Sequence, residues 1–232
     1  MIKIPDLQRR IRIIVLITAA LFIKMNSTGQ EFKATAIEDH SVTSYEELST
    51  IVQNLDKCSD LLKVKAIGQS VQGRDLYGMM FSSSKFGKDD SKIRVLIFAQ
   101  QHGNEQSGKE GALLLAQELL KPENGYLFDK IDFLLVPQVN PDGSELNSRR
   151  NANDADLNRN HLILSEPETR ALHAIFDKYL FEVTMDVHEY YPYTEEWINF
   201  GYRKNSDVMV GSTTNLGVAK DIRDLSNNEY LP

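Results

Sequence analysis

The sequence predicts an α/β protein in which a mixed central sheet carries helices on both faces. Continuous apolar segments at 93–99 and 131–136 are typical of buried strands. They alternate with segments of helical periodicity, which favours helices that pack on a sheet. In such sheets the chemistry lies at the carboxyl ends of the strands, so the residues that follow each strand are the candidates for function.

Each predicted element has a local signal. Ser44 and Glu47 have the spacing of a capping box, which predicts a helix start, and Pro122 predicts a helix end. The predicted helices are 45–57, 112–120 and a third that Ser165 caps and that ends near Tyr179. The predicted strands are 64–67, 76–81, 93–99, 131–136 and 181–187. Asn140 to Gly143, with the sequence NPDG, is expected to form a turn.

Length and composition are those of a globular protein. The 232 residues are 41% hydrophobic and 25% charged, which fits one domain of about 150–250 residues. The net charge of -7 gives no support to nucleic-acid binding, because that would need a basic face. The single cysteine, Cys58, excludes an intrachain disulfide and a cysteine-rich metal site. A metal site in this chain would therefore use His, Asp and Glu.

The first 29 residues have the order of a secretory signal peptide. Basic residues precede a mostly apolar segment at 13–23, and small residues follow at Ser27 and Gly29. The apolar segment is shorter than the ~20 residues of a membrane span. We expect a signal peptide over 1–29, export to the periplasm or the extracellular space, and no stable membrane span after cleavage. A buried N-terminal helix is the alternative interpretation.

Two strand ends carry residues that suit a metal. Gln100-Gln101-His102-Gly103-Asn104-Glu105 follows the strand that ends at Ala99, and His188 follows the strand that ends at Val187. Two histidines and one glutamate form the ligand set of catalytic zinc sites, which keep a position for water. The other histidines are interpreted as side chains without a role in the site; they are His40, His161 and His173.

The segment between these two strand ends is rich in arginine and amides. Arg149, Arg150 and Arg159 lie within residues 140–160. Arginine binds a carboxylate through two parallel hydrogen bonds and stabilises a developing oxyanion, which suits a substrate with a free carboxylate. On composition alone the segment could equally be a solvated polar loop.

Four motifs in this order resemble the zinc carboxypeptidase family, the relatives of pancreatic carboxypeptidases A and B. The similarity covers about residues 45–200. The motifs are IGQSVQGRDL at 67–76, HGNE at 102–105, NPDG at 140–143 with Arg149 and DLNRN at 156–160, and VHEY at 187–190. The resemblance implies a carboxypeptidase-like α/β fold and hydrolysis of C-terminal peptide bonds by zinc-activated water.

The resemblance also implies roles for individual residues. One zinc ion per chain would be held by His102, Glu105 and His188, and Asp156 would orient His102 through its second ring nitrogen. The substrate would be a peptide or protein with a free C-terminus. The implied substrate contacts are Asn158 and Arg159 to the terminal carboxylate, Arg149 to the scissile carbonyl and its oxyanion, and Arg74 further along the peptide.

One feature of the family pattern has no counterpart in the sequence. Family members use a glutamate far downstream of the third ligand as general base, but only 44 residues follow His188, and Glu229 lies outside any apolar segment. Glu189 should point to the opposite face of its strand. We therefore interpret residues 30–232 as the N-terminal portion of the catalytic domain without its C-terminal part or general base. Such a chain should be weakly stable and hydrolyse little.

Two other functions stay open at this point. The order HGNE, then an arginine, then DLNR also resembles deacylases of the succinylglutamate desuccinylase and aspartoacylase type. A non-catalytic peptide-binding relative would keep the arginines without the base. The specificity for the released side chain and the oligomeric state are not predicted, and no glycine-rich phosphate loop indicates a nucleotide.

Overall fold

The computed structural model describes residues 42–189 and residues 199, 220, 221, 223 and 224. The predicted signal peptide and the C-terminal tail with Glu229 lie outside these residues. The helices are α1 (Tyr45–Cys58), α2 (Gln106–Leu119), α3 (Pro141–Glu145) and α4 (Pro167–Tyr179), with 3-10 turns at Pro122–Asp129 and Leu157–Arg159. The strands are β1 (Leu62–Gln69), β2 (Asp75–Phe81), β3 (Ile93–Ala99), β4 (Ile131–Val136) and β5 (Val183–Val187).

The five strands form one mixed sheet in the order β1-β2-β4-β3-β5. β1 pairs with β2 and β2 with β4 in antiparallel register, whereas β3 is parallel to both β4 and β5. The carboxyl ends of β3, β4 and β5 therefore meet at one edge of the sheet. This arrangement brings the segments after Ala99, Val136 and Val187 together.

Helices cover both faces of this sheet, as predicted. On one face, α1 and α2 pack against strand side chains such as Phe81 and Leu135. On the other face, α4 packs against Leu96 and Leu134. Neighbouring residues of β4 alternate between the two cores because successive side chains of a strand point to opposite faces.

Two helices begin elsewhere than the sequence predicts. α2 begins at Gln106, six positions before the predicted start, because its alanines and leucines mark only the later, buried turns. The N-cap of α4 is Glu166 and not Ser165. The Ser165 hydroxyl instead contacts the Glu166 carboxylate at 3.0 Å. The polar first turn of α2 thus shifts its start away from the apolar signal, and α4 begins one residue later than a Ser165 cap would place it.

Two further predictions are corrected. The expected turn at 140–143 is the start of α3, where the Asn140 side chain caps the helix by accepting a hydrogen bond from the Gly143 N–H at 2.9 Å. β5 begins at Val183, two residues later than predicted. The left-handed backbone of Leu180, with φ of 52°, ends α4 and delays the strand.

β5 is the outermost strand of the described sheet, and its side chains are unusually open. Val183 is 49% exposed and Met185 is 54% exposed, whereas Leu96 on the neighbouring β3 is 2% exposed. Among the residues that the structure describes, no helix has the length and apolar character of a membrane span.

Candidate metal centre

The first part of the centre begins with a reversal of the chain after β3. Gln100 adopts a left-handed conformation, with φ of 57°, and is fully buried. Its Nε2 donates a hydrogen bond to the Gly103 carbonyl at 2.9 Å, and its own carbonyl accepts one from the Asn140 N–H at 3.1 Å. The segment after β3 is thereby attached to the start of α3. This reversal directs His102 inward, where its side chain is 3% exposed.

Gly103 lets this segment approach α3 closely, and Gly143 lets α3 approach the backbone at Arg150. A Cβ atom on Gly103 would lie 2.1 Å from the Gly143 carbonyl carbon, and one on Gly143 would lie 2.5 Å from the Arg150 carbonyl oxygen. Neither position has room for a side chain, because the neighbouring atoms belong to the backbone. The glycine of HGNE is therefore required by the contact with α3, and the glycine of NPDG by the contact of α3 with the backbone at Arg150.

Glu105 joins the two histidines of the predicted ligand set. Its Oε1 lies 2.7 Å from His102 Nδ1, and its Oε2 lies 2.8 Å from His188 Nδ1. One ligand atom from each of the three residues lies within 4.8 Å of the others. In a tetrahedral zinc site neighbouring ligand atoms are about 3.3 Å apart. The cluster fits zinc if both contacts open by a few tenths of an ångström.

Carboxylates hold the outer nitrogens of both rings. His102 Nε2 lies 3.2 Å from Asp156 Oδ1, and His188 Nε2 lies 2.8 Å from Asp186 Oδ2. Such contacts fix the tautomer and the orientation of a metal-binding imidazole. Asp186 was not predicted from the sequence. The available signal was its position two residues before His188, because residues i and i+2 lie on one side of an extended chain.

The charges of the metal-free cluster are strongly coupled. Burial raises the pKa of Glu105, but the hydrogen bonds with His102 and His188 oppose it, and the net effect lowers this pKa to about 2. The hydrogen bond with Asp186, and then that with Glu105, raises the pKa of His188 to about 10. A metal ion at His188 Nδ1 would take the place of a proton.

Arg149 lies beside the cluster. Its Nε and Nη2 donate hydrogen bonds to Asp156 Oδ2 at 3.2 and 3.1 Å, and its Nη1 lies 3.2 Å from His102 Nδ1. The Nη1 atom is also 3.7 Å from Glu105 Oε1. The pair with Asp156 keeps the half-exposed guanidinium at the site and leaves Nη1 available for another partner.

Asn158 and Arg159 lie on the 3-10 turn that follows Asp156. Asp156 Oδ1 accepts a hydrogen bond from the Asn158 N–H at 3.1 Å, and Leu157 anchors the turn by complete burial. Asn158 Nδ2 lies 3.3 Å from His188 Nε2, so this residue reaches the cluster. Arg159 is exposed, and its Nη1 donates to the Asn158 carbonyl at 3.3 Å.

The side chains of two other candidate site residues, Arg74 and Glu189, bind partners other than the two imidazoles. Arg74 Nη1 forms an ion pair with the fully buried Asp142 at 2.6 Å. The Glu189 carboxylate accepts a hydrogen bond from the Ser107 N–H at 3.0 Å, in the first turn of α2. His161, which we interpreted as a side chain without a role in the site, forms a hydrogen bond with the buried side chain of Gln101.

Comparisons with known proteins agree with this arrangement. The family model described as zinc carboxypeptidase matches residues 48–229. The chain is 31% identical over 175 residues to Carboxypeptidase 2 of Trichophyton tonsurans, a match that covers 72% of this chain and 32% of the relative. It is 33% identical over 122 residues to Carboxypeptidase Z of Mus musculus, covering 45% of this chain and 19% of the relative. The chain thus matches at most about a third of these relatives' length.

Solved structures have the same fold. A metallo-carboxypeptidase from Burkholderia cenocepacia is 26% identical with a TM-score of 0.56, and the match covers 64% of this chain and 42% of that one. Carboxypeptidase A from Helicoverpa armigera has a TM-score of 0.59 at 23% identity, covering 66% and 47%. These matches confirm the carboxypeptidase-like α/β fold, and the His-Glu-His group is compatible with the zinc that the family uses. The chain belongs to the zinc carboxypeptidase family.

Proposed function

We propose that this chain provides the metal and substrate sites of an exported zinc metallocarboxypeptidase that hydrolyses C-terminal peptide bonds. The observation that carries the proposal is the convergence of His102, Glu105 and His188, with Arg149 in contact. This convergence occurs at the carboxyl ends of parallel strands, in a chain of the zinc carboxypeptidase family. Zinc would supply an activated water and polarise the scissile carbonyl.

The arginines beside the cluster suit a peptide that ends in a free carboxylate. Arg159 is exposed and adjacent to Asn158, so the two can bind the terminal carboxylate together. Arg149 has Nη1 directed at the cluster while Asp156 holds its other nitrogens. A guanidinium held in this way stabilises negative charge that develops on the scissile carbonyl oxygen. Arg74 is the candidate for contacts further along the peptide.

The proposed general base lies outside residues 42–189. Three carboxylates contact the imidazoles, and each already accepts hydrogen bonds there: Glu105, Asp156 and Asp186. The neighbouring Glu189 binds the N-terminal turn of α2. We therefore expect residues 42–189 to hold zinc and peptide, and hydrolysis to need a base from another part of the protein.

Export and domain organisation complete the proposal. Residues 1–29 would be removed as a signal peptide, and residues 30–232 would form part of the catalytic domain. The basic and then apolar order of the N-terminus supports this, and the donor set contains no cysteine that an oxidising compartment would convert to a disulfide.

Binding to paired peptides tests the substrate site. Calorimetry on the zinc-loaded chain should detect a short peptide with a free C-terminus and should not detect its C-terminal amide. Arg159→Ala should abolish this difference, whereas Arg150→Ala should preserve it, because Arg150 is engaged with Asp154 at the exposed surface. Equal binding of the free and amidated peptides would contradict the proposal.

Hydrolysis separates the remaining functions. Release of the terminal residue from the free peptide alone, even if slow, supports a carboxypeptidase. Cleavage of an acyl-aspartate without cleavage of any peptide would identify a deacylase and overturn the proposal. Tight binding of the free peptide without any detectable release would favour the non-catalytic relative.

A further inference from the structure

A chain of hydrogen bonds connects His188 with two histidines outside the metal cluster. Asp186 Oδ2 lies 2.8 Å from His188 Nε2 and accepts a hydrogen bond from Gln101 Nε2 at 2.7 Å. Gln101 Oε1 lies 2.7 Å from His161 Nε2, and His161 Nδ1 lies 3.1 Å from His173 Nε2. The four contacts form one continuous path with Gln101 at its centre.

The donors and acceptors along this path are fixed by its ends. An ionised carboxylate only accepts hydrogen bonds, so Gln101 must present its NH₂ group to Asp186. The side-chain carbonyl of Gln101 then faces His161. His161 must therefore donate a hydrogen bond from Nε2, and its Nδ1 must accept one from His173 Nε2. Burial, and then repulsion from His173, lowers the pKa of His161, which favours a neutral ring. The orientation of the amide is therefore determined from both sides.

Gln101 connects the buried segment that contains His102 to the exposed strand β5. It is fully buried and immediately precedes His102. Its backbone carbonyl accepts a hydrogen bond from Asn140 Nδ2 at 3.2 Å. Its side chain extends to β5, where the Asp186 side chain is 29% exposed. An exposed carboxylate on an edge strand has several rotamers available, and the bond from a buried amide selects one of them.

We propose that Gln101 is a positioning residue for His188, acting through Asp186, and that His161 fixes the orientation of the Gln101 amide. The inference rests on the proposed function in one respect, that His188 is a zinc ligand. With Asp186 held in place, the His188 Nε2–H has a fixed acceptor and Nδ1 faces Glu105. Without this support, the conformational entropy lost when the His188 side chain is fixed would weaken metal binding.

The test compares two buried glutamines that follow neighbouring strands. Gln101→Met removes both side-chain hydrogen bonds at similar volume and should weaken Zn²⁺ binding about tenfold, as loss of an outer partner does. Gln138→Met is the matched control, since the Gln138 side chain donates its hydrogen bond to Gln100, which is not a member of the path. Its zinc affinity should stay within about twofold of the wild type. The measurement is chelator competition on the full chain.

A double-variant cycle separates positioning from a general loss of structure. In an Asp186→Ala background, Gln101→Met should weaken Zn²⁺ binding by no more than about twofold, because its target is gone. The less buried His161→Phe should weaken binding in the wild-type background and not in Asp186→Ala. This second variant keeps the test decisive if Gln101→Met does not fold.

The outcomes are distinct. Equal losses in both backgrounds, or unchanged affinity in Gln101→Met and His161→Phe, would overturn the positioning role while leaving the proposed function intact. A wild-type chain that binds no Zn²⁺ would overturn both. Losses confined to the background that contains Asp186 support the inference.

Discussion

The two candidate imidazole ligands are held in very different surroundings. His102 follows the central strand β3, and its side chain is 3% exposed, whereas His188 follows the edge strand β5, and its side chain is 31% exposed. Behind His102, Gly103 lets the backbones of its segment and α3 come together. Behind His188, the strand residues Val183 and Met185 are about half exposed.

This difference shows that one half of the centre is organised by the core and the other by polar contacts. A buried ring keeps its position by packing, so His102 is ready for a metal as soon as the domain is folded. His188 lacks such packing and depends on Glu105, Asp186 and, through Asp186, on Gln101. Metal affinity should therefore be most sensitive to changes on the His188 side.

The largest effect is expected where the two halves meet. Glu105→Ala removes the carboxylate that contacts both rings and should weaken Zn²⁺ binding by at least about 100-fold, the upper range for outer partners. Chelator competition measures this, with Glu118→Ala as the control because Glu118 pairs with Lys121 at the exposed end of α2. A loss of less than about tenfold would contradict the ligand assignment.

The packing of the His102 side can be broken through one glycine. Gly103→Ala forces a Cβ atom against the Gly143 backbone and should lower the free energy of unfolding by about 3 kcal/mol, the upper range for overpacking. Urea denaturation of the metal-free chain measures the change.

A second glycine provides the opposite expectation. Gly111 lies within α2, and apart from its own helix backbone no described atom lies within 4 Å of a Cβ there, so Gly111→Ala should raise stability by about 0.5–1 kcal/mol. Gly103→Ala and Gly111→Ala with equal urea midpoints would show that the close contact at Gly103 is not required.

The outer carboxylates test whether the two halves really differ. Asp186→Ala should weaken Zn²⁺ binding toward 100-fold, and Asp156→Ala by only about tenfold, because packing still holds the buried His102 ring. Asp156→Ala should instead impair binding of a peptide with a free C-terminus, since Asp156 holds Arg149 and the turn with Asn158. The reverse order of zinc affinities would contradict the comparison.

The strands and their meeting edge could be predicted from the sequence because they depend on local signals. The apolar segments 93–99 and 131–136 coincide with β3 and β4 as observed. The capping box at Ser44 and Glu47 is present at the start of α1. Asp154 has a left-handed backbone, with φ of 58°, a conformation that aspartate tolerates.

The connections between these elements could not be predicted in the same way. Gln101 contacts residues 60 and 85 positions away along the chain, and neither spacing leaves a periodic signal. The contact between His161 and Gln101 has no signal in the sequence, because a histidine in a polar segment shows no partner until the fold is known. The start of α3 was missed because NPDG is typical both of turns and of a capped helix start.

The last expected effect is a pH dependence that involves the titration of His188. Without metal, the pKa of His188 is raised from its ordinary 6.5 to about 10, chiefly by Asp186 and then by Glu105. The raised pKa means that the folded chain holds this proton more tightly than the unfolded chain. The resulting stability is complete below about pH 6.5 and is lost as the pH rises toward 10.

Urea denaturation in the presence of a chelator, at about pH 7 and about pH 9.5, should therefore show a lower midpoint at the higher pH. His188→Gln should reduce this difference, because glutamine does not titrate. Saturating Zn²⁺ should also reduce it, because the metal takes the place of the proton on Nδ1. An equal change of midpoint with pH in the metal-free wild type and in His188→Gln would mean that His188 is not held by its two carboxylates. The contrast between His188, supported by polar contacts, and His102, supported by packing, would then be wrong.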